Sequence, residues 1–201
     1  GLLIEGNPDN FAHLQRSGRR AQKVHSAVCK SPEAGGPRNR TVRFTKSTLR
    51  GNMVAGQVDT FSPGHVIKWQ SFNEPWQTVD VPCQPLDELL KQAGFEHVNF
   101  FSLDVEGAEP LVLETVDTRR FDVAVVEKDE SVQSKNEAVS TSLNSGGLQR
   151  VEVRVQGSRV FAKAGLANAL PEVRRNSLHA CPSHLPCTHT SASPHVHLCM
   201  H

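Results

Sequence analysis

Short apolar segments alternate with amphipathic ones along most of this 201-residue chain. Leu2–Glu5 and residues 22–28 favour strands, and the GNPDN segment between them suits the start of a helix. Val98–Leu103 is a nearly continuous apolar run, which is typical of a strand covered on both faces, and residues 121–126 predict another strand. Strands that alternate with helices in this way indicate an α/β fold with a mostly parallel sheet.

The clearest helix signal lies in PLDELLKQAG, where the apolar residues recur at helical spacing: Leu86, Leu89, Leu90 and Ala93. A proline stands at its start and a glycine just past its end, as helix boundaries favour. Residues 110–116 and 131–143 predict two further helices. Two alternating runs, residues 151–155 and 159–163, are joined by QGS and predict an antiparallel hairpin that closes the sheet.

Two parts of the chain do not follow this pattern. Residues from about 30 to 78 predict an irregular insertion rich in glycine and proline, with short strand candidates at 41–45 and 65–69. From Asn176 to His201 there is no Asp, Glu, Lys or Arg, and no apolar periodicity with which to bury a face. We therefore predict one domain over residues 1–165 and a disordered, His- and Cys-rich tail over 166–201.

The tail also contains spacings compatible with zinc, through Cys181, His184, Cys187 and His189. Paired close ligands separated by a longer loop are the usual zinc pattern, and this segment lacks it. Adventitious metal binding by a disordered tail is the simpler interpretation, so the sequence predicts no metal site.

Charge and cysteine content narrow the function classes further. Lys and Arg number 22 against 21 Asp and Glu, a net charge of +1, so we expect no nucleic-acid partner. The apolar runs are shorter than the roughly 18 residues of a membrane helix, so we expect no membrane span. The five cysteines do not set the compartment, which stays open, and Cys29 and Cys83 are interpreted as inert packing thiols.

Candidate chemistry gathers where the predicted strands end. Glu5, Asp104 and Glu127 each close a strand, and in an open α/β sheet ligands collect at these carboxyl ends. Glu106 follows Asp104 by two residues, just before a glycine that lets the chain turn into the next helix. Such acids could orient a polar substrate or take a proton, although acids at strand ends also serve as plain helix caps. The histidines outside the tail lack a local partner pattern, so none is chosen as a base.

Four segments together carry a resemblance to a known family: GLLIEGNPDNF, VPCQPLDELLKQAG, VNFFSLDVEGAEPLVLETVD and FDVAVVEKDE. In this order and at these distances they resemble the FkbM family of S-adenosylmethionine-dependent methyltransferases. The resemblance covers about residues 1–165, and FFSLDVEGAE is its most specific part.

The resemblance implies a Rossmann-like class I methyltransferase sheet, mostly parallel with a C-terminal antiparallel hairpin, and S-adenosylmethionine as cofactor. It implies O-methylation of a small molecule or sugar. Glu5 would bind the cofactor ribose with Asn7 beside it, and Ala27 and Val28 would lie along the adenine. Asp104 would border the cofactor's methionine end. The implied catalytic residues are Asp104, Glu106 and Glu127.

One departure from the family pattern concerns the first strand. The glycine-rich turn of such a sheet lies about 20 residues before the ribose acid, but only four residues precede Glu5. The sequence therefore predicts that the first strand and glycine loop are missing from a truncated chain, that two buried strand edges lack a partner, and that S-adenosylmethionine binding is weak or absent.

Two alternatives remain open. Some animal proteins with FkbM-like domains are associated with membrane trafficking, so one alternative is a noncatalytic interaction module. The other is a glycosyltransferase, because Asp104-Val105-Glu106 imitates the D-x-D motif of that class. The combined LIEGNP and LDVEGAE segments favour the methyltransferase over the glycosyltransferase.

Overall fold

The structure is a computed structural model that describes residues 1–46, 55–70, 77–128, 132–167 and 197–199. The strands within these residues are β1 (Leu2–Glu5), β2 (Gln22–His25), β3 (Ala27–Val28), β4 (Thr41–Lys46), β5 (Gln77–Gln84), β6 (Val98–Leu103), β7 (Phe121–Glu127), β8 (Leu148–Val155), β9 (Ser158–Lys163) and β10 (His197–Cys199). The helices are α1 (Pro8–Arg16), α2 (Pro63–Gln70), α3 (Leu86–Gln92), α4 (Glu109–Leu113), α5 (Gln133–Ser145) and α6 (Ala164–Ala167).

The strands form three hydrogen-bonded groups. The largest has the order β10-β6-β7-β9-β8, in which β10, β6 and β7 run parallel and β9 and β8 form the antiparallel hairpin. A parallel pair joins β1 to β2, and the third group has the order β3-β5-β4. The expected mixed α/β architecture with parallel and antiparallel strands is confirmed.

The main core lies between the largest sheet and its helices, because the longest apolar runs of the sequence supply both faces. Phe101 and Phe121 on neighbouring parallel strands are fully buried and stack with ring centroids 4.4 Å apart. Leu86, Leu89 and Leu90 bury one face of α3 in the same core, as their helical spacing predicts. This packing fixes the carboxyl ends of β6 and β7 side by side.

Several sequence predictions need correction between residues 22 and 84. Residues 65–69, predicted as a strand, lie in α2, because Ser62 caps the start by accepting the amide of His65 on Oγ (3.0 Å). Strand β5 was not predicted, since Pro82 interrupts its pattern, although Val79, Val81 and Cys83 alternate inward. The strand expected over residues 22–28 is divided at Ser26 into β2 and β3.

A disulfide joins Cys29, just after β3, to Cys83 on β5, with a Cα–Cα distance of 5.6 Å. The sequence predicted buried, inert thiols here. Burial is confirmed, at 2% and 1% exposure, but the cross-link was missed. Together with the pairing of β3 and β5, the bond makes a second, smaller core that includes Val42 and Val81.

The edge of β6 that was expected to lack a partner is paired. Strand β10 runs parallel to it, with His197 opposite Phe100 and Cys199 opposite Ser102, and lies beside β1. Three residues of the tail predicted to be disordered therefore form a strand. The zinc candidates Cys181, His184, Cys187 and His189 lie outside the described residues.

No helix in the described ranges combines the length and the apolar composition needed to cross a bilayer.

Candidate active site

The first part of the site is the end of β1, where Glu5 is buried with only 5% of its surface exposed. Its Oε1 accepts the backbone amide of Asn7 at 2.7 Å. Burial raises the pKa of the Glu5 carboxyl to about 7, although hydrogen bonds from the Asn7 amide, the Asn10 side chain and the Gly6 amide oppose the shift. The carboxylate is thus a buried acceptor that is held in place locally.

Asn7 links this acceptor to α1. Its Oδ1 caps the helix by accepting the amides of Asp9 and Asn10, at 2.9 and 3.2 Å. Its Nδ2 is buried and has no hydrogen-bond partner among the described residues. A buried donor of this kind is costly unless a ligand or water accepts from it.

A cavity of about 40 Å³ lies next to Glu5 and extends to the end of β6. On one side it is lined by Ile4 and Gly6, which flank Glu5, and on the other by Val105 and Ala108, which belong to the turn that carries Asp104 and Glu106. Ala27 and Val28 form an apolar wall between them. The ends of β1, β3 and β6 therefore open onto one shared cavity.

The turn after β6 carries Glu106 in an unusual backbone conformation. Its φ is 54° and that of Gly107 is 99°, so two consecutive residues are left-handed. A non-glycine residue in this region stores strain of about 1–3 kcal/mol, which persists only where surrounding contacts impose it.

Glu109 and Lys135 supply those contacts. The Oε1 of Glu109, which is 3% exposed, accepts the amides of Val105 and Gly107, both at 3.1 Å. Desolvation raises the pKa of this carboxyl. The Lys135 ammonium donates to the carbonyl oxygens of Gly107 at 2.8 Å and Thr60 at 2.6 Å, which ties the turn to α5 and to the insertion.

The insertion contributes a histidine to the same place. His65 Nδ1 lies 3.7 Å from Glu106 Oε2, and the two side chains are 13% and 23% exposed. The His65 ring stacks on Phe61 with centroids 4.3 Å apart. Helix α2 therefore brings an imidazole to the turn that ends β6.

Asp104 and Glu127 meet at the ends of the neighbouring strands β6 and β7. Desolvation, together with the charge and hydrogen bond of Asp104 and the charges of Glu106 and Glu109, raises the pKa of Glu127 to about 9. Neighbouring carboxyl groups cannot all be ionised when they lie this close together. One proton therefore stays with this acidic cluster, Asp104, Glu106, Glu109 and Glu127, at neutral pH.

The raised pKa of Glu127 predicts a pH-dependent stability. Folded protein keeps this proton above the ordinary pKa of 4.5, whereas unfolded chain releases it, so stability falls as pH rises from 4.5 to about 9. We expect Glu127→Gln to remove about 1–2 kcal/mol of that fall, a discounted figure because solvent screens this half-buried group. Urea denaturation at pH 5, 7 and 9 measures it.

Glu5 and Glu109 contribute changes of the same sign, so some pH dependence remains in the Glu127→Gln variant. The matched control is Glu96→Gln, which removes an exposed carboxyl and should leave the wild-type profile intact. Parallel profiles for Glu127→Gln and wild type would contradict the assignment of the proton to this cluster.

A wider hollow of about 370 Å³ lies on the other side of Gln57, which lines both spaces. Its polar lining includes Asn39, Asp59 and Asp80. The carboxylates can accept hydrogen bonds from a hydroxyl-rich molecule, and the amide can both accept and donate them.

The structure thus brings the predicted site residues into two neighbouring groups. Ala27 and Val28 line the small cavity, whereas Glu5 and Asn7 are the neighbours of its lining residue Gly6. Asp104 and Glu106 are the neighbours of its lining residue Val105, and Glu127 interacts with Asp104. The chemical roles of all these residues stay predictions. Sequence reasoning missed Glu109, Lys135 and His65. Of these three, only Glu109 is marked in the sequence, because it is a further acid two residues after Gly107. Among the described residues, no group of three or more His, Cys, Asp or Glu side chains has an arrangement that could hold a metal ion.

A mixed α/β fold with acidic strand ends around a shared cavity is typical of proteins that bind a nucleotide-like cofactor. The family model of the methyltransferase FkbM domain matches residues 2–154. The chain therefore belongs to the FkbM methyltransferase family, which confirms the resemblance found in its motifs. No curated protein and no solved structure matches the chain.

Proposed function

We propose that the chain is an S-adenosylmethionine-dependent methyltransferase that acts on a hydroxyl group of a small molecule or sugar. The observation that supports this proposal best is the shared cavity, because its lining includes Ile4 and Gly6, on either side of Glu5, and Val105, which lies between Asp104 and Glu106. Membership of the FkbM family supplies the reaction class.

The residues near Glu5 suit the adenosyl part of the cofactor. A buried carboxylate can accept the two ribose hydroxyls, and the buried Nδ2 of Asn7 offers a donor that no described residue uses. Ala27 and Val28 provide an apolar wall for the adenine. The chemistry of these groups fits the cofactor.

The cavity is too small for the cofactor in this conformation. A volume of about 40 Å³ holds a few water molecules, at about 10–15 Å³ for each, and not an adenosyl group. We therefore propose that this chain binds the cofactor weakly, and we derive no step through it. This volume is also the observation that favours the alternative, a noncatalytic interaction module in membrane trafficking.

The three acids near the ends of β6 and β7 are suited to different roles: Asp104, Glu106 and Glu127. When bound, S-adenosylmethionine supplies a methyl group on a sulfonium. The chain's own task is to align a hydroxyl and accept its proton. The raised pKa of Glu127 makes it the poorest base of the three at neutral pH, so we propose Asp104 and Glu106 for that role. The polar hollow beyond Gln57 suits a hydroxyl-rich acceptor.

Transfer of a labelled methyl group tests the proposal. Wild-type protein, at high concentration with millimolar S-adenosylmethionine, should methylate at least one member of a panel of sugars and small alcohols. Glu5→Gln replaces a carboxyl with two acceptor oxygens by an amide with one, so we expect the KM for the cofactor to rise roughly tenfold or more, with a smaller change in kcat. Glu96→Gln is the control.

The noncatalytic alternative makes the opposite prediction. A correctly folded chain that transfers no methyl group and does not bind S-adenosylhomocysteine, even at millimolar concentration, would contradict the enzyme and favour the interaction module.

A further inference from the structure

We infer that the ring of Phe44 controls access to the cofactor cleft and must move before the adenosyl group can enter. This inference rests on the proposed function and deepens it, because it explains why the cavity beside Ala27, Val28 and the backbone next to Glu5 is too small for the cofactor. Phe44 lies in the insertion, and no sequence motif pointed to it.

The ring packs directly on the backbone that follows Glu5. A Cβ atom built on Gly6 would lie 2.8 Å from Cε2 and 2.9 Å from Cζ of Phe44. Real Cβ atoms essentially never come so close to another heavy atom. Gly6 is therefore the residue that lets the ring reach this position, and the ring takes up space beside the end of β1, the strand that carries Glu5.

The remaining walls of the cavity show what the ring faces. Phe44 lines the cavity together with the apolar residues Ile4, Ala27, Val28 and Val105, and Ser26 and Gln57 add polar groups to the lining. A mostly apolar pocket with a few polar groups suits an adenosyl group. The phenyl ring and the adenine base therefore compete for one space.

Backbone contacts fix the strand that carries the ring. Phe44 stands opposite Val79 in the antiparallel pairing of β4 with β5, and forms an isolated bridge with Gln57. Next to it, the Thr45 amide donates to the Gly56 carbonyl at 2.9 Å, and the Gly56 amide donates to Thr45 Oγ1 at 3.2 Å. The ring is thus held at the cavity by two elements of the insertion.

A closed cleft lowers the apparent affinity of a ligand. If only a fraction of the molecules has the ring displaced, the observed Kd equals the intrinsic Kd divided by that fraction. Shortening Phe44 removes the need for this displacement. Phe44→Ala should therefore bind an adenosyl ligand more tightly than wild type, which is the reverse of the usual effect of truncating a binding-site residue.

Calorimetric titration with S-adenosylhomocysteine tests the inference on the full chain. We expect the Kd of Phe44→Ala to be at least roughly tenfold lower than that of wild type, with Phe44→Leu between them. Phe95→Ala is the matched control, because it shortens another half-buried phenylalanine that packs on the main core and does not line the cavity. Circular dichroism and thermal melting verify that each variant is folded. If Phe44→Ala does not fold, the comparison of Phe44→Leu with wild type tests the inference.

The outcomes separate this inference from the proposed function. Tighter binding by the Phe44 variants supports both. Micromolar binding by wild type that Phe44→Ala leaves unchanged or weakens overturns the inference and leaves the methyltransferase standing. If neither wild type nor any Phe44 variant binds the ligand at millimolar concentration, the proposed function fails, and the inference fails with it.

Discussion

Replacing both Cys29 and Cys83 with alanine is expected to lower the free energy of unfolding by about 4 kcal/mol. The disulfide closes a loop with a sequence separation of 54 residues, and a cross-link of that length restricts the unfolded chain by about this amount. Both cysteines are buried, so reduction also disturbs the smaller core around Val42 and Val81. Urea denaturation with and without dithiothreitol measures the effect.

The double variant itself provides one control, because dithiothreitol should no longer change its stability. Cys181→Ala with Cys187→Ala is the second, since these residues should leave the sensitivity of the domain to reductant intact. Mass spectrometry of unreduced peptides should find residues 29 and 83 linked. Free thiols at both positions would refute the cross-link.

The disulfide between Cys29 and Cys83 also predicts the kind of compartment in which the chain folds. Structural disulfides form and persist in oxidising compartments, and cytosolic thiols are kept reduced. We therefore expect folded protein to accumulate when the chain is produced in a bacterial periplasm or a secretory pathway, and to be much scarcer in a reducing cytosol. Equal yields of equally stable protein in both would show that folding does not depend on the bond.

Glu109→Ala is expected to have the second largest effect, a loss of about 2–4 kcal/mol. One oxygen of this carboxyl accepts the amides of Val105 and Gly107, and each buried donor left unpaired costs about 1–3 kcal/mol. The left-handed conformation of Glu106 would lose its main support, so the position of that side chain beside His65 should also be lost. Denaturation and methyl-transfer assays measure the two consequences.

Glu109→Gln is the matched variant. Its amide oxygen can accept the same two hydrogen bonds, and desolvation already raises the pKa of the natural carboxyl toward the neutral form. We expect this variant to stay within about 1 kcal/mol of wild type. A loss as large as that of Glu109→Ala would mean that the negative charge, and not the accepted hydrogen bonds, stabilises the turn.

The sequence predicts those helices and strands whose hydrophobic pattern lies within their own residues, and fails where an element depends on a distant partner. Strands β6 and β7 are long apolar runs, and α3 has a clear apolar face, so their own residues specify them. Strand β5 escaped because its proline and polar positions weaken the pattern, and its partner β4 is remote along the chain. Helix α2 was taken for a strand because its capping serine lies outside the apolar segment that suggested one.

The site was predicted in part for the same reason. Glu5, Asp104 and Glu127 follow strands, so strand ends located them without knowledge of tertiary structure. His65, Lys135 and Phe44 reach the site only through the folding of the insertion and α5 against the sheet. Their positions depend on contacts between residues far apart in sequence, which no local spacing records.

The placement of β10 has a consequence for the order in which the molecule assembles. His197 pairs beside Phe100, so this part of the sheet closes only when residues nearly a hundred positions apart have met. Forming a contact between such distant residues costs the entropy of closing the intervening loop, and this cost slows folding. During synthesis, β10 can pair with β6 only after the ribosome has released His197, and until then this edge of β6 would need protection from other chains.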